Sequence, residues 1–295
     1  MIEFKVIYLE KNEGHGNARR RGFVECSNDI VALMDSDDIC VPQRFEKQLA
    51  YFIKNPKLSI VGGQISEFIN DVNNVIGIRQ VPTEDFEIKQ YMKKRCPMNQ
   101  VTVMFRKEEL ERAGGYIDWY CEEDYYLWAR MMLKNCIFSN SPDILVNVRV
   151  GEAMSARRGG LRYFKSEAKM QKFLLDSHII ALPRYLYNVA IRFAGEVLAP
   201  NWLRNKLFGI FRKSPDKEGL RLKDEKTIEG IIQHPPFSVS MCVYGGDDAE
   251  WFDIALESVV KQSVKPQEIV LVVDGPIPST IQQIIDKYTV ICGSL

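Results

Sequence analysis

Short runs rich in Val, Ile, Leu, Phe or Met occupy residues 4–9, 30–34, 58–61 and 101–105, and stretches with helical spacing, among them 15–26 and 42–54, separate them. Apolar runs of four to six residues predict strands, and strands alternating with helices predict an α/β fold. The first helix is entered through Asn12-Glu13-Gly14-His15-Gly16-Asn17, whose glycines permit tight turning. Pro42, with its fixed φ and missing N–H, predicts the first turn of the second. Residues 64–80 read as a hairpin with Asp71-Val72-Asn73-Asn74 as its turn, and 122–134 as a helix presenting Tyr125, Trp128, Ala129 and Met132 along one face. Residues 159–212 read as a helical extension, and 213–236, containing Ser214-Pro215-Asp216-Lys217-Glu218-Gly219 and His234-Pro235-Pro236, as a linker.

After Pro236 the pattern restarts: a strand at 237–243, a helix at about 249–262, a strand at 268–273 and a helix at about 279–288. Some 59 residues bury too little apolar surface for an independent two-sided core. The 237–295 unit is therefore expected to pack on the main part, residues 1–158.

Lys plus Arg equals Asp plus Glu at 39 each, so no general polycation offers itself to a nucleic-acid backbone. The seven cysteines are odd in number and scattered, which argues against a disulfide framework or a zinc site and fits a reducing compartment. No run approaches the roughly 18 to 20 apolar residues of a membrane span, so a cytoplasmic location is expected. Charge is uneven over 181–213. There Arg184, Arg192, Arg204, Lys206, Arg212 and Lys213 interleave with Tyr185, Leu186, Tyr187, Ile191, Phe193, Trp202, Leu203, Leu207 and Phe208. This basic amphipathic stretch predicts peripheral contact with a membrane, at its inner face, or with a lipid-linked acceptor; a buried helix pair is the competing reading.

Ile30-Val31-Ala32-Leu33-Met34 runs directly into Asp35-Ser36-Asp37-Asp38, at the carboxyl end of a buried strand where open α/β sheets place ligands. Three carboxylates within four residues repel one another. A divalent cation removes that cost, and oxygen donors suit Mg²⁺ or Mn²⁺ better than zinc. The plainer reading makes Asp38 or a neighbour a cap for the following helix. Glu122-Glu123-Asp124 supplies a second acidic group, readable as a proton acceptor for an attacking hydroxyl or as a first-turn cluster favoured by the helix dipole. His15 could touch phosphate or simply hydrogen-bond its own loop. Tyr125, Tyr126 and Trp128 read as core, whereas Trp119 and Tyr120 fall in a loop and are the better surface candidates.

Leu33-Met34-Asp35-Ser36-Asp37-Asp38, followed by Pro42-Gln43-Arg44-Phe45-Glu46-Lys47-Gln48, resembles the aspartate-x-aspartate region of family 2 glycosyltransferases with the GT-A fold. Gly16-Asn17-Ala18-Arg19-Arg20-Arg21-Gly22 resembles that family's arginine-containing helix start, Gly114-Gly115-Tyr116 its acceptor-side loop, and Glu123-Asp124-Tyr125-Tyr126-Leu127-Trp128 its glutamate-aspartate motif. Val239–Tyr244 and Ile269–Gly275 look like the family's opening, which normally precedes the equivalent of Phe4–Glu10. The resemblance thus implies a GT-A-like, Rossmann-related, mostly parallel sheet, circularly permuted, with the first βαβα unit completing the nucleotide site in the same chain or in a swapped homodimer. A truncated second transferase domain is the other reading of that unit.

The resemblance also implies roles. Tyr244 lines the base pocket, Asp274 bonds the nucleobase, Arg19 or Arg20 holds the nucleotide, Asp37 meets metal and diphosphate, and Asp35 sits nearby on the ribose side. Asp124 is the base, with Glu123 beside it, while Gly114, Gly115, Tyr116 and Trp119 stand on the acceptor side. The implied reaction is metal-dependent inverting transfer from a nucleoside-diphosphate sugar, a UDP-sugar favoured, to a hydroxyl of a saccharide or lipid-linked acceptor in surface polysaccharide synthesis. Three positions depart from the family pattern: Gly275-Pro276 after Asp274, Arg20 where asparagine is frequent, and Gln100 where histidine follows Asn99. A sugar nucleotidyltransferase, or a non-catalytic interaction domain, is the alternative.

Overall fold

The computed structural model describes residues 1–151, 160–199 and 234–293. One nine-stranded sheet organises them: β1 (Glu3–Tyr8), β2 (Ile30–Met34), β3 (Ile39–Cys40), β4 (Ile60–Ile69), β5 (Asp71–Arg79), β6 (Met104–Arg106), β7 (Phe138–Arg149), β8 (Phe237–Tyr244) and β9 (Glu268–Asp274). Their order is β1-β9-β8-β2-β6-β4-β7-β3, with β5 paired to β4. The helices are α1 (His15–Glu25), α2 (Arg44–Lys54), α3 (Asp85–Met92), α4 (Lys107–Arg112), α5 (Glu123–Leu133), α6 (Gly160–Asp176), α7 (Leu182–Phe193), α8 (Ala249–Val260) and α9 (Ser279–Gly293).

β1, β9, β8 and β2 run parallel, so the two late strands lie between the two earliest ones. Being covered on both faces, β2 and the Ile269–Val273 stretch of β9 are continuous apolar runs, whereas β8, buried over Phe237–Met241, interleaves Ser238 and Ser240 with its apolar residues. The period of two divides their side chains. Ile30, Ala32 and Met34 join a core with Phe45 and Leu49 of α2, Phe252 and Leu256 of α8, and Ile281 and Ile285 of α9. Val31 and Leu33 join the opposite core with Phe23 of α1, Trp128 of α5 and Leu174 of α6.

Several contacts join the early and late segments. A Cβ on Gly22 of α1 would lie 2.7 Å from Ser240 Oγ and 2.9 Å from Val272 Cγ2, so only glycine lets this helix sit so close to β8 and β9. The Glu268 carboxylate accepts from the Ser27 amide at 2.5 Å, from the Ser27 hydroxyl at 2.8 Å and from the Ser238 hydroxyl. Gln262 donates to the Val41 carbonyl at 2.8 Å.

The α/β class expected from the sequence is present, with local corrections. Pro42 lies in a turn closed by Arg44 N–H to the Val41 carbonyl at 3.1 Å, and α2 begins only at Arg44. The hairpin reverses at Asn70, whose φ is 58°, and Asp71 is already paired with Ile69. Residues 100–102 form a 3₁₀ turn, so the strand expected at 101–105 is Met104–Arg106. On α5 the buried sulfur is Met131 rather than Met132. Trp202, Leu203, Arg204, Lys206, Leu207, Phe208, Arg212, Lys213 and most of the expected linker lie outside the described residues.

Candidate functional site

β2, β8 and β9 end side by side at Met34, Tyr244 and Asp274. Ligands of open α/β sheets gather at such carboxyl ends, because the loops leaving the strands there expose backbone N–H groups and polar side chains to a shared crevice. A cleft of about 210 Å³ opens at this edge, lined by Asn12, His15, Cys242, Tyr244, Asp247 and Asp274 among others. Tyr244 is 39% exposed and meets His15 edge-on, with ring centres 6.5 Å apart. The Asp274 carboxylate accepts from the amides of Glu13 at 2.6 Å and Gly14 at 3.1 Å, which fixes the glycine-bearing loop over the β9 end. Gly275, at φ 87°, turns the chain away where a Cβ would lie 2.6 Å from the Asn12 nitrogen.

The acidic loop after β2 is tied down from three directions. Arg19 of α1, buried, places Nη2 2.9 Å from Asp35 Oδ1 and Nη1 3.2 Å from Glu123 Oε1. Arg149, at the end of β7, places Nη2 3.1 Å from Asp37 Oδ2 and donates its backbone N–H to Asp38 Oδ1 at 2.9 Å. The Ser36 hydroxyl donates to Asp247 Oδ2 at 2.7 Å. Burial works to raise Asp35, but the charge and hydrogen bond of Arg19, together with the charges of His15 and Arg44, lower that carboxyl below its usual range. Asp37 is raised by burial and then by the Asp35 charge, and Asp38 is raised well above its usual range by burial and by both neighbouring carboxylates. The strand end thus gathers three carboxylates against two guanidinium groups.

The plainer capping reading fails for Asp38, which does not cap α2, a helix without a side-chain cap, because the β7 backbone claims its carboxylate. Glu123 and Asp124 do stand in the first turn of α5, where the helix dipole favours acidic groups. There Glu123 turns to Arg19, while Asp124 accepts from the Tyr125 amide at 2.6 Å and from the Cys96 thiol at 3.6 Å. Burial, then the Asp124 charge, pushes the Glu123 carboxyl up to about 7 despite Arg19.

Other expected residues stand differently. Arg20 is exposed on the outer side of α1, so of the arginine pair Arg19 alone enters the site. Tyr116 is 2% exposed and packs edge-on against Trp128, which makes it core rather than acceptor surface. Gly114 and Gly115, at φ 86° and 64°, end α4 in a turn whose carbonyl at Gly115 accepts from Arg130 at 2.6 Å. Trp119 is half-buried: it donates to Ser166 Oγ at 2.9 Å, meets the Tyr126 ring at a tilt of 58° and lies under Lys169. Tyr120 lies under Arg162.

Sequence reasoning missed Asp247 and Arg149. The signal for Asp247 was the doublet Asp247-Asp248, since Asp248 alone caps α8 by accepting from the amides of Glu250 and Trp251. The surplus carboxylate points to Ser36 instead. No comparable signal marked Arg149, which reaches Asp37 across 112 residues of chain.

The donor set bears on a divalent ion. No group of three His, Cys, Asp or Glu side chains converges among the described residues. Asp37 and Asp35 are partly open, at 38% and 39% side-chain exposure, and each meets one guanidinium group, Arg149 and Arg19 respectively. One or two carboxylates, with water and substrate phosphate completing an octahedron, is the usual protein share of a Mg²⁺ site. The residues fit that mode and not an all-protein cage.

The family model for glycosyl transferase family 2 matches residues 2–113. An uncharacterized glycosyltransferase of Haemophilus influenzae is 41% identical over 210 residues, 71% of this chain and 78% of that protein. The amylovoran biosynthesis glycosyltransferase AmsE of Erwinia amylovora is 36% identical over 59% of this chain and 65% of its own length. The UDP-Gal:alpha-D-GlcNAc-diphosphoundecaprenol beta-1,3-galactosyltransferase of Escherichia coli is 35% identical over 65% of this chain and 69% of its own. With the sheet order, the Asp35–Asp38 loop and the Glu123-Asp124 helix start in place, the chain belongs to glycosyltransferase family 2, with a GT-A-like fold.

Proposed function

We propose that this enzyme is a metal-dependent, inverting glycosyltransferase that moves a sugar from a nucleoside-diphosphate sugar, a UDP-sugar favoured, to a hydroxyl of a lipid-linked saccharide in surface polysaccharide assembly. The observation that carries this is that the Asp35–Asp38 loop leaves β2 beside the ends of β8 and β9, where Tyr244, Asp247 and Asp274 line one cleft and Ser36 bonds Asp247. Relatives named for a GlcNAc-diphosphoundecaprenol acceptor support the acceptor class.

Tyr244 and Asp274 flank the base and ribose, the Asp274 carboxylate holding the 13–14 loop shut behind them. Asp37 and Asp35 would hold the Mg²⁺ or Mn²⁺, which supplies neutralisation of the departing diphosphate. Arg149, already beside Asp37, adds positive charge to the same phosphates. The acceptor oxygen attacks the anomeric carbon as the carbon–oxygen bond to diphosphate breaks. The acceptor proton passes to Asp124, and the configuration inverts. Asp124 suits that task better than Glu123, because no guanidinium or ammonium group pairs with it among the described residues, whereas Arg19 occupies Glu123. Glu123 instead positions Arg19 between the donor and acceptor sides.

The test is titration calorimetry with nucleoside diphosphates, with and without Mn²⁺, alongside transfer assays with a panel of sugar nucleotides. Metal-dependent binding and release of nucleoside diphosphate are expected. Wild type that binds as tightly without Mn²⁺ as with it, or Asp37→Ala that binds the metal-nucleotide as tightly as wild type, would overturn the reading.

A further inference from the structure

The helix α7 is inside out. Its buried residue is Asn188, which donates to the Lys93 carbonyl at 3.0 Å and to Gln171 at 2.8 Å. Arg192 also turns inward, to Glu167 at 2.8 Å and the Lys94 carbonyl at 2.9 Å. Every exposed residue of α7 is apolar: Leu182, Pro183, Leu186, Tyr187, Ala190, Ile191 and Phe193. Leu182, Leu186, Tyr187, Ile191 and the following Leu198 are each between 52% and 66% exposed. A helix on a water-facing surface normally shows the reverse distribution. At roughly 25 cal/mol per Å² of apolar surface, such a strip favours any medium that removes it from water.

Charge says which medium. α7 carries no acidic residue, and Arg184 stands at its edge over Tyr187. The turn after α3, fastened to α7 by the bonds above, presents Lys93-Lys94-Arg95 with Lys94 and Arg95 exposed. A groove of about 280 Å³ runs between Lys94, Arg184, Tyr187 and Ile191. A convex apolar strip rimmed by bases is what lies in the interface of an anionic bilayer, apolar side chains at the acyl boundary and bases among phosphates. The strip is also linked to the site. α6, which α7 packs against, holds the acceptor-side loop through Ser166 to Trp119 and Arg162 to Tyr120.

We propose that the outer face of α7 with the Lys93–Arg95 turn is a membrane-binding surface that recognises anionic phospholipid headgroups and holds the acceptor side of the site at the bilayer. The link to acceptor delivery rests on the reading of a lipid-linked acceptor, while membrane binding itself does not. No helix among the described residues is long and apolar enough to cross a membrane, so the surface would lie on the bilayer.

The test is sedimentation of the full chain with vesicles of phosphatidylcholine alone, or with about one part in three phosphatidylglycerol. Binding to the anionic vesicles, weakened by salt, is expected. Leu186→Glu with Ile191→Glu should lower partitioning at least tenfold, and Lys94→Glu with Arg184→Glu by about fivefold per lost base or more. Metal-nucleotide affinity in solution should stay unchanged in both, which shows that they are folded and separates this proposal from the donor-site reading. Wild type that stays in the supernatant, or a Leu186→Glu, Ile191→Glu variant that pellets like wild type, would overturn it. So would dimerisation without vesicle binding that the same variant abolishes, since the face would then belong to a second copy.

Discussion

Arg19 Nη1 lies 3.2 Å from Glu123 Oε1 while Nη2 of the same guanidinium lies 2.9 Å from Asp35 Oδ1, so one buried cation joins the helix that opens with Glu123-Asp124 to the acidic loop after β2. Only a planar fork can serve both carboxylates at once; a lysine ammonium is a single point of charge. Arg19→Ala strands two carboxylates, one of them deeply placed. Removing one partner of a buried pair costs about 3–5 kcal/mol, and the open Asp35 arm, screened by water, pulls the expected loss to the lower end. Urea unfolding should register it, and Arg19→Lys should recover less than half.

Glu123 gives a pH dependence of definite sign. It faces Arg19, Asp124 and Asp35. Its carboxyl titrates at about 7 in the fold against 4.5 in the unfolded chain, so the fold holds the proton more tightly. The stability this group contributes is fully present below about 4.5 and is lost as pH rises through about 7. Compared with Glu123→Gln, which does not titrate, wild type should lose on the order of 3 kcal/mol across that window. Thermal unfolding at several pH values in metal-free buffer measures the difference; parallel curves would remove Glu123 as the titrating group.

The two acids at the start of α5 should separate kinetically. Asp124→Asn is expected to keep metal-nucleotide affinity within a few-fold and to lose transfer by roughly 10² or more, as for a positioned proton acceptor. Glu123→Gln, which frees Arg19, should retain more turnover than Asp124→Asn. The reverse order would exchange their roles.

What could be read from the sequence depended on range. The β2 run into Asp35–Asp38 and the restart after Pro236 are local patterns, and the structure has both. The Pro42 helix start and the Asp71–Asn74 turn were local readings too, and strand pairing overrode them: the Val41 amide is held by the Leu145 carbonyl of β7, and β4 extends to Ile69. Arg149 on Asp37, Tyr116 under Trp128 and Asp247 on Ser36 are contacts between distant segments, which propensity and period do not encode.

Asp247 shapes the acidic loop from outside it. Its Oδ2 accepts from Ser36 Oγ and from the Tyr244 amide at 3.1 Å, so it couples the loop to the β8 end. Asp247→Asn can still accept through its remaining oxygen, whereas Asp247→Ala cannot. Alanine should weaken metal-nucleotide binding about tenfold, roughly the worth of a hydrogen bond to a charged group, and asparagine much less. Equal loss in both would point to the charge rather than to the hydrogen bond.

The late strands carry the last prediction. Among the described residues β1 is paired only with β9, from Glu3 opposite Glu268 to Tyr8 opposite Val273, and β2 gains five residues of parallel pairing from β8. Without residues 237–293, β1 has no strand partner, Gly22 of α1 faces an empty trench, and the apolar faces of α2 and β2 lose Phe237, Val239 and Phe252. Unpaired backbone groups and uncovered apolar surface both cost free energy, so that deletion should abolish cooperative unfolding along with nucleotide binding. The same geometry says that chain order is secondary. β9, α9 and β1 already form a parallel strand, a helix packed on that edge and the neighbouring parallel strand, which is the arrangement a βαβ connection makes. A reordered chain that starts near Pro236, joins Leu295 to Met1 and ends near Ser214 should therefore fold, bind metal-nucleotide at least as well as the present one, and be monomeric even if the present order exchanges strands between two copies. Circular dichroism melts, calorimetry and sedimentation on the two orders decide it. A deletion of 237–293 that keeps both a cooperative melt and full nucleotide affinity would show that Asp274 and Tyr244 belong to some other site.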